Sequence, residues 1–102
     1  MPEFPYHGFR YVEVTGLAAL EPEDIRAVAL HTDIQKRSSF TCGSAMLNAI
    51  QQNLLMTEKD NLHSILTDCP QRDERMAWMN DATVRFEETP YNFDVSRIFP
   101  KI

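Results

Sequence analysis

The feature that most constrains the fold of this chain is a helical hydrophobic period over residues 44–61. Leu47, Ile50 and Leu54 recur there at spacings of three and four, which places them on one face of an α-helix. Alanine and glutamine residues between them are good helix formers. The segment therefore predicts an amphipathic helix. Because apolar stripes normally pack inward, we expect this one to face the core of a larger helical domain rather than a partner.

The residues before this helix follow a different pattern. Aromatic and β-branched side chains at 9–14, ended by Gly16, predict a β-strand, and residues 25–32 predict a second one. The connection over 17–24 carries a proline and three acids, which is typical of an exposed loop. A polar and basic stretch at 33–39 separates the two patterns. The sequence thus predicts an α+β chain in which strands precede helices.

A second unusual stretch is DCPQRDERMAWMND, residues 68–81. It holds four acids, two arginines and the only tryptophan of the chain, where a core segment would be apolar. Its proline favours the first position of a helix, which predicts a helix over 70–88. Glu74, Trp78 and Asp81 would then follow the i, i+4, i+7 spacing that lines one helical face.

The residue types on that face suit a sugar ring. An indole covers the apolar C–H side of a pyranose, carboxylates accept hydrogen bonds from hydroxyls, and an arginine such as Arg72 donates to two oxygens at once. A carboxyl group beside the indole of Trp78 is partly desolvated, which favours its protonated form and makes Glu74 the best candidate for a general acid. The alternative is a solvated helix face with ion pairs between Asp73 or Glu74 and the arginines, and residue chemistry alone favours it.

The same stretch resembles the signature D-C-P-x-R-x-E-R, followed by a tryptophan and an aspartate, of the bacterial α-L-rhamnosidases, an inverting family of glycoside hydrolases. Residues 6–16, YHGFRYVEVTG, look like the strand that leads out of the family's β-sandwich. SFTC at 39–42 and LNAI at 47–50 look like the start of its helical barrel. The resemblance implies that residues 1–36 end a β-sandwich domain. Residues 37–102 would then be the first helices and the acid-bearing loop of an (α/α)6 catalytic barrel.

The resemblance also implies roles for single residues. Glu74 matches the general acid that protonates the departing glycosidic oxygen. The positions that line the pocket and hold the rhamnose ring are matched by Asp68, Arg72, Trp78 and Asp81. Inversion also needs a second carboxylate about 6.5–9.5 Å away to activate water, and no acid of this chain matches the family's base.

We therefore expect this chain to be a piece of an enzyme that removes terminal non-reducing α-L-rhamnose from glycosides with inversion. The expected partner is a rhamnose-containing glycoside, and no cofactor is implied. The 102 residues alone are expected to be inactive and to need the remainder of the barrel. An (α/α)6 barrel is several times longer than this chain.

Two other classes of function remain open at this point. The chain could be a stand-alone protein interaction module whose acidic helix is surface. It could instead be a lectin-like remnant that binds sugar through Arg72, Trp78 and Asp81 without chemistry. Quenching of Trp78 fluorescence by rhamnose separates these two, because only the remnant places the indole in a sugar pocket.

The composition also excludes some classes of binding partner. Ten basic against fifteen acidic residues give a formal net charge of −5, which argues against nucleic acid or an anionic membrane. Cys42 and Cys69 are expected to be free. The three histidines, His7, His31 and His63, lack the spacing of metal ligands, so no metal site is predicted. Neither a cytoplasmic nor an exported location is indicated.

Overall fold

A computed structural model describes residues 6–102 of the chain. Helices and irregular segments dominate it, with one very short sheet. The elements in chain order are a 3-10 turn at Pro22–Asp24, α1 at Ala45–Asp60, β1 at Leu62–His63, β2 at Ile65–Leu66, α2 at Met79–Thr83, α3 at Thr89–Asn92 and a 3-10 turn at Phe99–Lys101.

The helix predicted over 44–61 is confirmed as α1. Ser44 caps it, since its side chain accepts a hydrogen bond from the Leu47 backbone N–H at 3.4 Å. Two of the three residues of the predicted stripe, however, are not covered within the described residues, because Leu47 and Ile50 are 51% and 54% exposed, whereas Leu54 is half-buried. The buried positions of α1 are Leu55 and Glu58 instead. The part of α1 that packs against the rest of the described chain is therefore mainly its C-terminal half.

The strands predicted over 9–14 and 25–32 are not confirmed. The structure assigns no strand to either segment, and every residue from 9 to 31 is exposed. A strand needs a neighbour for its backbone N–H and C=O groups, and neither segment has a ladder partner among residues 6–102. The sheet found there is the β1–β2 hairpin, antiparallel, with Leu62 opposite Leu66 and a tight turn at Ser64, whose φ is 66°.

The helix predicted over 70–88 is also wrong for most of its length. Residues 70–78 are irregular, α2 covers only Met79–Thr83, and turns follow over 84–88. Pro90 does not stop a helix but lies in the first turn of α3, where a missing N–H costs no hydrogen bond.

The core consists of two small clusters that share neighbours. One contains Leu62, Leu66, Ala82 and Ile98, and the other contains Leu55, Phe93 and Val95. Ile34 and Phe99 pack against both clusters and so join them. The backbone on either side of Phe93 also bonds to the segment before α1: the Arg37 N–H donates to the Asn92 carbonyl at 2.8 Å, and the Asp94 N–H donates to the Gln35 carbonyl at 2.9 Å.

A polar network attaches α1 to α3. The Thr89 hydroxyl donates to Glu58 Oε1, and Glu58 is only 2% exposed. Farther along the same interface, Gln51 Nε2 donates to Asn92 Oδ1 at 2.8 Å, and Asn92 Nδ2 donates to Glu88 Oε2 at 3.0 Å. Glu58 Oε2 is buried without a hydrogen-bond partner among the residues described here. Burial first, and the neighbouring charge of Glu88 in addition, raise the pKa of Glu58 to about 7.

We predict that Phe93→Ala strongly destabilises the chain. Phe93 is 1% exposed, and loss of a buried phenyl ring with the cavity it leaves costs about 3–5 kcal/mol. Tyr91→Ala is the matched control, because Tyr91 lies two residues away and is exposed. Urea unfolding followed by circular dichroism measures both variants, and equal losses in the two would contradict the core described here.

We predict that the free energy of unfolding decreases as pH rises from about 4.5, the ordinary pKa of glutamate, to about 7. In that window the folded Glu58 holds a proton that the unfolded chain has released, so raising the pH favours unfolding. Glu58→Gln keeps an oxygen for Thr89 and should flatten the slope, whereas Glu87→Gln, at an exposed position, should preserve it. Unfolding at several pH values tests this, and an unchanged slope in Glu58→Gln would refute it.

Candidate functional site

The predicted site residues lie on a loop rather than along one helix. Arg75 has a φ of 55°, in the left-handed region, which ends any right-handed helix at that point. Because the chain turns there, Glu74, Trp78 and Asp81 do not share the helical face that their spacing predicts. We call residues 68–76, which hold the candidate acid, the acid loop.

Asp68 closes the acid loop by bonding to its other end. The Asp68 backbone N–H donates to the Met76 carbonyl at 2.9 Å, and the Met76 N–H donates to Asp68 Oδ1 at 2.7 Å. These two bonds satisfy backbone groups that a helix would otherwise pair, so the loop has a defined shape without regular secondary structure.

A compact group of polar side chains forms inside this closure. One carboxylate oxygen of Asp68, one of Glu74 and the Sγ atom of Cys69 all lie within 4.8 Å of one another. The buried Cys69 thiol donates to Asp68 Oδ2 at 3.2 Å. Arg72 Nη2 forms an ion pair with Glu74 Oε2 at 3.1 Å. The structure thus brings Asp68, Arg72 and Glu74 together, as their common role in the predicted site requires.

The two carboxyl groups divide one proton unequally. The hydrogen bond with Glu74, aided by the Met76 N–H and the Cys69 thiol, holds the pKa of Asp68 well below its usual range. The same hydrogen bond with Asp68, followed by partial burial, raises the pKa of Glu74, while the charge of Arg72 opposes that rise. Asp68 is therefore the anion and Glu74 the group that keeps a proton to higher pH.

This cause differs from the one expected from sequence. The neighbouring carboxylate of Asp68, and not the indole of Trp78, is the first reason for the raised pKa of Glu74. Trp78 is the residue before α2, and its side chain is 54% exposed. Asp81 is exposed on α2 and lies outside the cluster of Asp68 and Glu74. Trp78 and Asp81 are thus both exposed, and Asp81 is not a member of the cluster that contains the acid pair.

The ion pairs of the alternative interpretation are present as well. Arg75 Nη1 lies 3.4 Å from Asp73 Oδ1, in addition to the pair between Arg72 and Glu74. Asp73 is fully exposed. The pair between Arg72 and Glu74 is largely exposed, and exposed pairs of this kind contribute little to stability.

Sequence reasoning missed the residues that contact the loop from the start of the described chain. The Gly8 N–H donates to the Pro70 carbonyl at 2.9 Å, and the Tyr6 hydroxyl is 3.1 Å from Thr67 Oγ1. Arg75 Nη2 donates to His7 Nδ1 at 3.1 Å. We call these three consecutive residues, Tyr6–Gly8, the N-terminal clamp. Gly8 is the one signal of this contact in the sequence, where the resemblance assigns it to a strand.

The cysteines and the carboxylates of the cluster are also potential disulfide partners and metal ligands. Cys42 and Cys69 are both free, as expected. Asp68, Cys69 and Glu74 are close enough to surround a small cation, but the thiol already bonds to Asp68, and Arg72 already bonds to Glu74. The prediction that the chain needs no metal stays a prediction. Among residues 6–102, no helix combines the length and apolar character needed to cross a membrane.

Comparison with known proteins gives matches along the whole chain. Residues 35–102 match the family model of the bacterial alpha-L-rhamnosidase 6 hairpin glycosidase domain, and residues 1–31 match that of the bacterial alpha-L-rhamnosidase concanavalin-like domain. The chain is 38% identical over 102 residues to an alpha-L-rhamnosidase of Formosa agariphila and 34% identical over 101 residues to one of Streptomyces avermitilis. These alignments cover 97% and 98% of this chain but 11% and 10% of the two relatives, so the chain spans about a tenth of their length.

A solved structure gives the same result for the fold. The chain is similar to an alpha-L-rhamnosidase from Dictyoglumus thermophilum, with a TM-score of 0.66 and 43% sequence identity. The superposition covers 68% of this chain and 8% of that chain. At this identity the similarity extends to sequence as well as fold.

Proposed function

The chain belongs to the bacterial α-L-rhamnosidase family, and from this premise we propose that it forms part of an enzyme that hydrolyses terminal α-L-rhamnose from glycosides with inversion. The observation that carries the proposal is the carboxyl pair of Asp68 and Glu74, whose pKa values are pushed in opposite directions. A carboxyl group that stays protonated toward neutral pH is the requirement for a general acid in glycoside hydrolysis.

In the proposed mechanism Glu74 donates its proton to the glycosidic oxygen while the bond between that oxygen and the anomeric carbon breaks. A water molecule attacks the anomeric carbon from the opposite side of the ring and inverts its configuration. The carboxylate that activates this water is proposed to come from the remainder of the barrel, because no acid here matches the family's base. After the reaction Glu74 is ionised, and Arg72 at 3.1 Å stabilises that charge.

The sugar contacts are proposed for exposed groups around this pair. Arg72 presents a largely exposed guanidinium that can donate to two hydroxyl oxygens, although one of its nitrogens already pairs with Glu74. Trp78 exposes half of its surface, which leaves its ring free to cover the apolar side of rhamnose. Asp81, about one helical turn after Trp78, is an exposed hydrogen-bond acceptor. Asp68 is only partly exposed, so less of its surface than that of Asp81 is free to contact the sugar.

We propose the domain division expected from the sequence, with residues 1–36 ending a β-sandwich and 37–102 beginning the (α/α)6 barrel. The two family models meet between residues 31 and 35, which supports this boundary. The exposed stripe of α1 supports the barrel assignment, since Leu47 and Ile50 would pack against its other helices. The extended segments at 9–14 and 25–32 would acquire ladder partners in a complete sandwich.

We predict that Glu74→Gln, made in the longest reading frame that contains these residues, removes most turnover of natural rhamnosides, whose leaving groups are poor. An amide cannot donate the catalytic proton, and loss of a general acid typically costs about 10²–10⁴ in rate. Binding should be almost unchanged, whereas Trp78→Ala should weaken binding. Steady-state kinetics measure turnover, and isothermal titration calorimetry with rhamnose measures binding in both variants. A wild-type rate in Glu74→Gln would show that another group is the acid.

We predict that Asp68→Asn moves the alkaline limb of the pH profile of kcat/KM to lower pH. Activity is lost as the acid deprotonates, and removing the Asp68 carboxylate removes the largest cause of the raised pKa of Glu74. Asp73→Asn is the matched control, since Asp73 pairs with Arg75 and should leave the limb in place. An unmoved limb in Asp68→Asn would mean that the carboxyl pair does not set the protonation of the acid.

A further inference from the structure

The N-terminal clamp contacts the acid loop at two points and the residue before the loop at a third. Tyr6 bonds to Thr67 just before the loop begins, Gly8 bonds to the carbonyl of Pro70 within it, and His7 accepts a hydrogen bond from Arg75 beside Glu74. The sequence distance is more than sixty residues in each case. Three consecutive residues therefore contact the chain at the residue before the loop, within the loop, and at the residue after the acid.

The fit at Gly8 is too tight for a side chain unless its neighbours shift. A Cβ atom built on Gly8 would lie 3.1 Å from Pro70 Cγ and 3.3 Å from both the backbone N and the Cβ of Gln71. Most Cβ contacts in proteins are longer, so any larger residue must push the loop away or move the clamp. The close approach brings the Gly8 N–H within bonding distance of the loop.

Arg75 is the residue through which the clamp reaches the acid. Its φ of 55° is unfavourable for a side chain with a Cβ atom, and such conformations persist only where surrounding contacts hold them. His7 Nδ1 accepts from its guanidinium at 3.1 Å, and its Cζ lies 5.8 Å from the centroid of the Tyr6 ring, within cation–π range. Tyr6 is itself stacked on His63, with centroids 3.8 Å apart.

We propose that the N-terminal clamp is a positioning element of the acid: by holding Arg75 in its left-handed conformation, Tyr6 and His7 aim the adjacent Glu74 at Asp68. This inference rests on the proposed function of Glu74. The clamp lies in the part of the chain matched by the concanavalin-like domain, and Glu74 lies in the part matched by the 6 hairpin glycosidase domain. The concanavalin-like domain would thus complete the acid site of the 6 hairpin glycosidase domain, in addition to being joined to it.

The experiment distinguishes an effect on the position of Glu74 from an effect on stability by comparing two rhamnosides that differ only in their leaving group. Protonation of the leaving oxygen limits hydrolysis of methyl α-L-rhamnoside, because methoxide is a poor leaving group. From 2,4-dinitrophenyl α-L-rhamnoside the stable 2,4-dinitrophenolate departs without help from an acid. In the longest reading frame that contains these residues, His7→Ala should lower kcat on the methyl glycoside by about tenfold or more. It should leave kcat on the dinitrophenyl substrate within about threefold, because folding and sugar binding are intact.

Matched variants sharpen the comparison. His31→Ala replaces another exposed histidine, whose ring bonds, among residues 6–102, only to the neighbouring Thr32 carbonyl, and should change neither rate. His7→Asn supplies an oxygen acceptor to Arg75 and should restore part of the lost rate. Gly8→Val should reproduce the selective loss of His7→Ala, whereas Gly43→Val, at a glycine with open space around it, should not.

The outcomes separate this inference from the proposed function. If the wild type hydrolyses both substrates and His7→Ala lowers the two rates equally, or lowers neither, the clamp does not position the acid while the rhamnosidase proposal stands. If the wild type hydrolyses neither substrate, the proposed function itself fails. A Gly8→Val variant that does not fold leaves the decision with His7→Ala, which changes an exposed side chain.

Discussion

The acid site depends on the two ends of the acid loop being joined at Asp68. Its backbone and carboxylate bond to Met76 at 2.9 and 2.7 Å, and the remaining carboxylate oxygen accepts from Cys69. An anion held by several donors is a poor proton acceptor, so the pKa of Asp68 is lowered while that of Glu74 is raised. The interactions that shape the loop therefore also set the protonation state of its candidate acid.

The packing of the chain suits a segment of a larger domain. Its two buried clusters are small and share Ile34 and Phe99, and they lie around the β1–β2 hairpin and the residues after α3. Large apolar side chains on α1 and before residue 32 remain exposed. The relatives are about ten times longer than this chain, and the exposed surface is of the kind that additional helices and strands would cover.

The success of each secondary-structure prediction follows from the range of the interactions that decide it. The period of α1 extends over four turns, and its hydrogen bonds and Ser44 cap are local, so sequence predicts it well. The segments at 9–14 and 25–32 have strand-forming side chains, but a strand exists only with a partner, and none is present in the part of the chain described. The helix predicted from residue 70 failed because Arg75 adopts a left-handed conformation that side-chain spacing does not reveal.

By itself, the sequence determined the family and the candidate acid, because the signature at 68–81 is a contiguous pattern of chemically distinctive side chains. It also determined α1, whose hydrogen bonds join residues four apart. Only the tertiary structure decided that Asp68 is the neighbour that raises the pKa of Glu74, that Asp81 is outside their cluster, and that the N-terminal clamp reaches Arg75. These relations depend on the path of the backbone, which brings together groups up to 68 residues apart, and composition and spacing along the chain carry no record of that path.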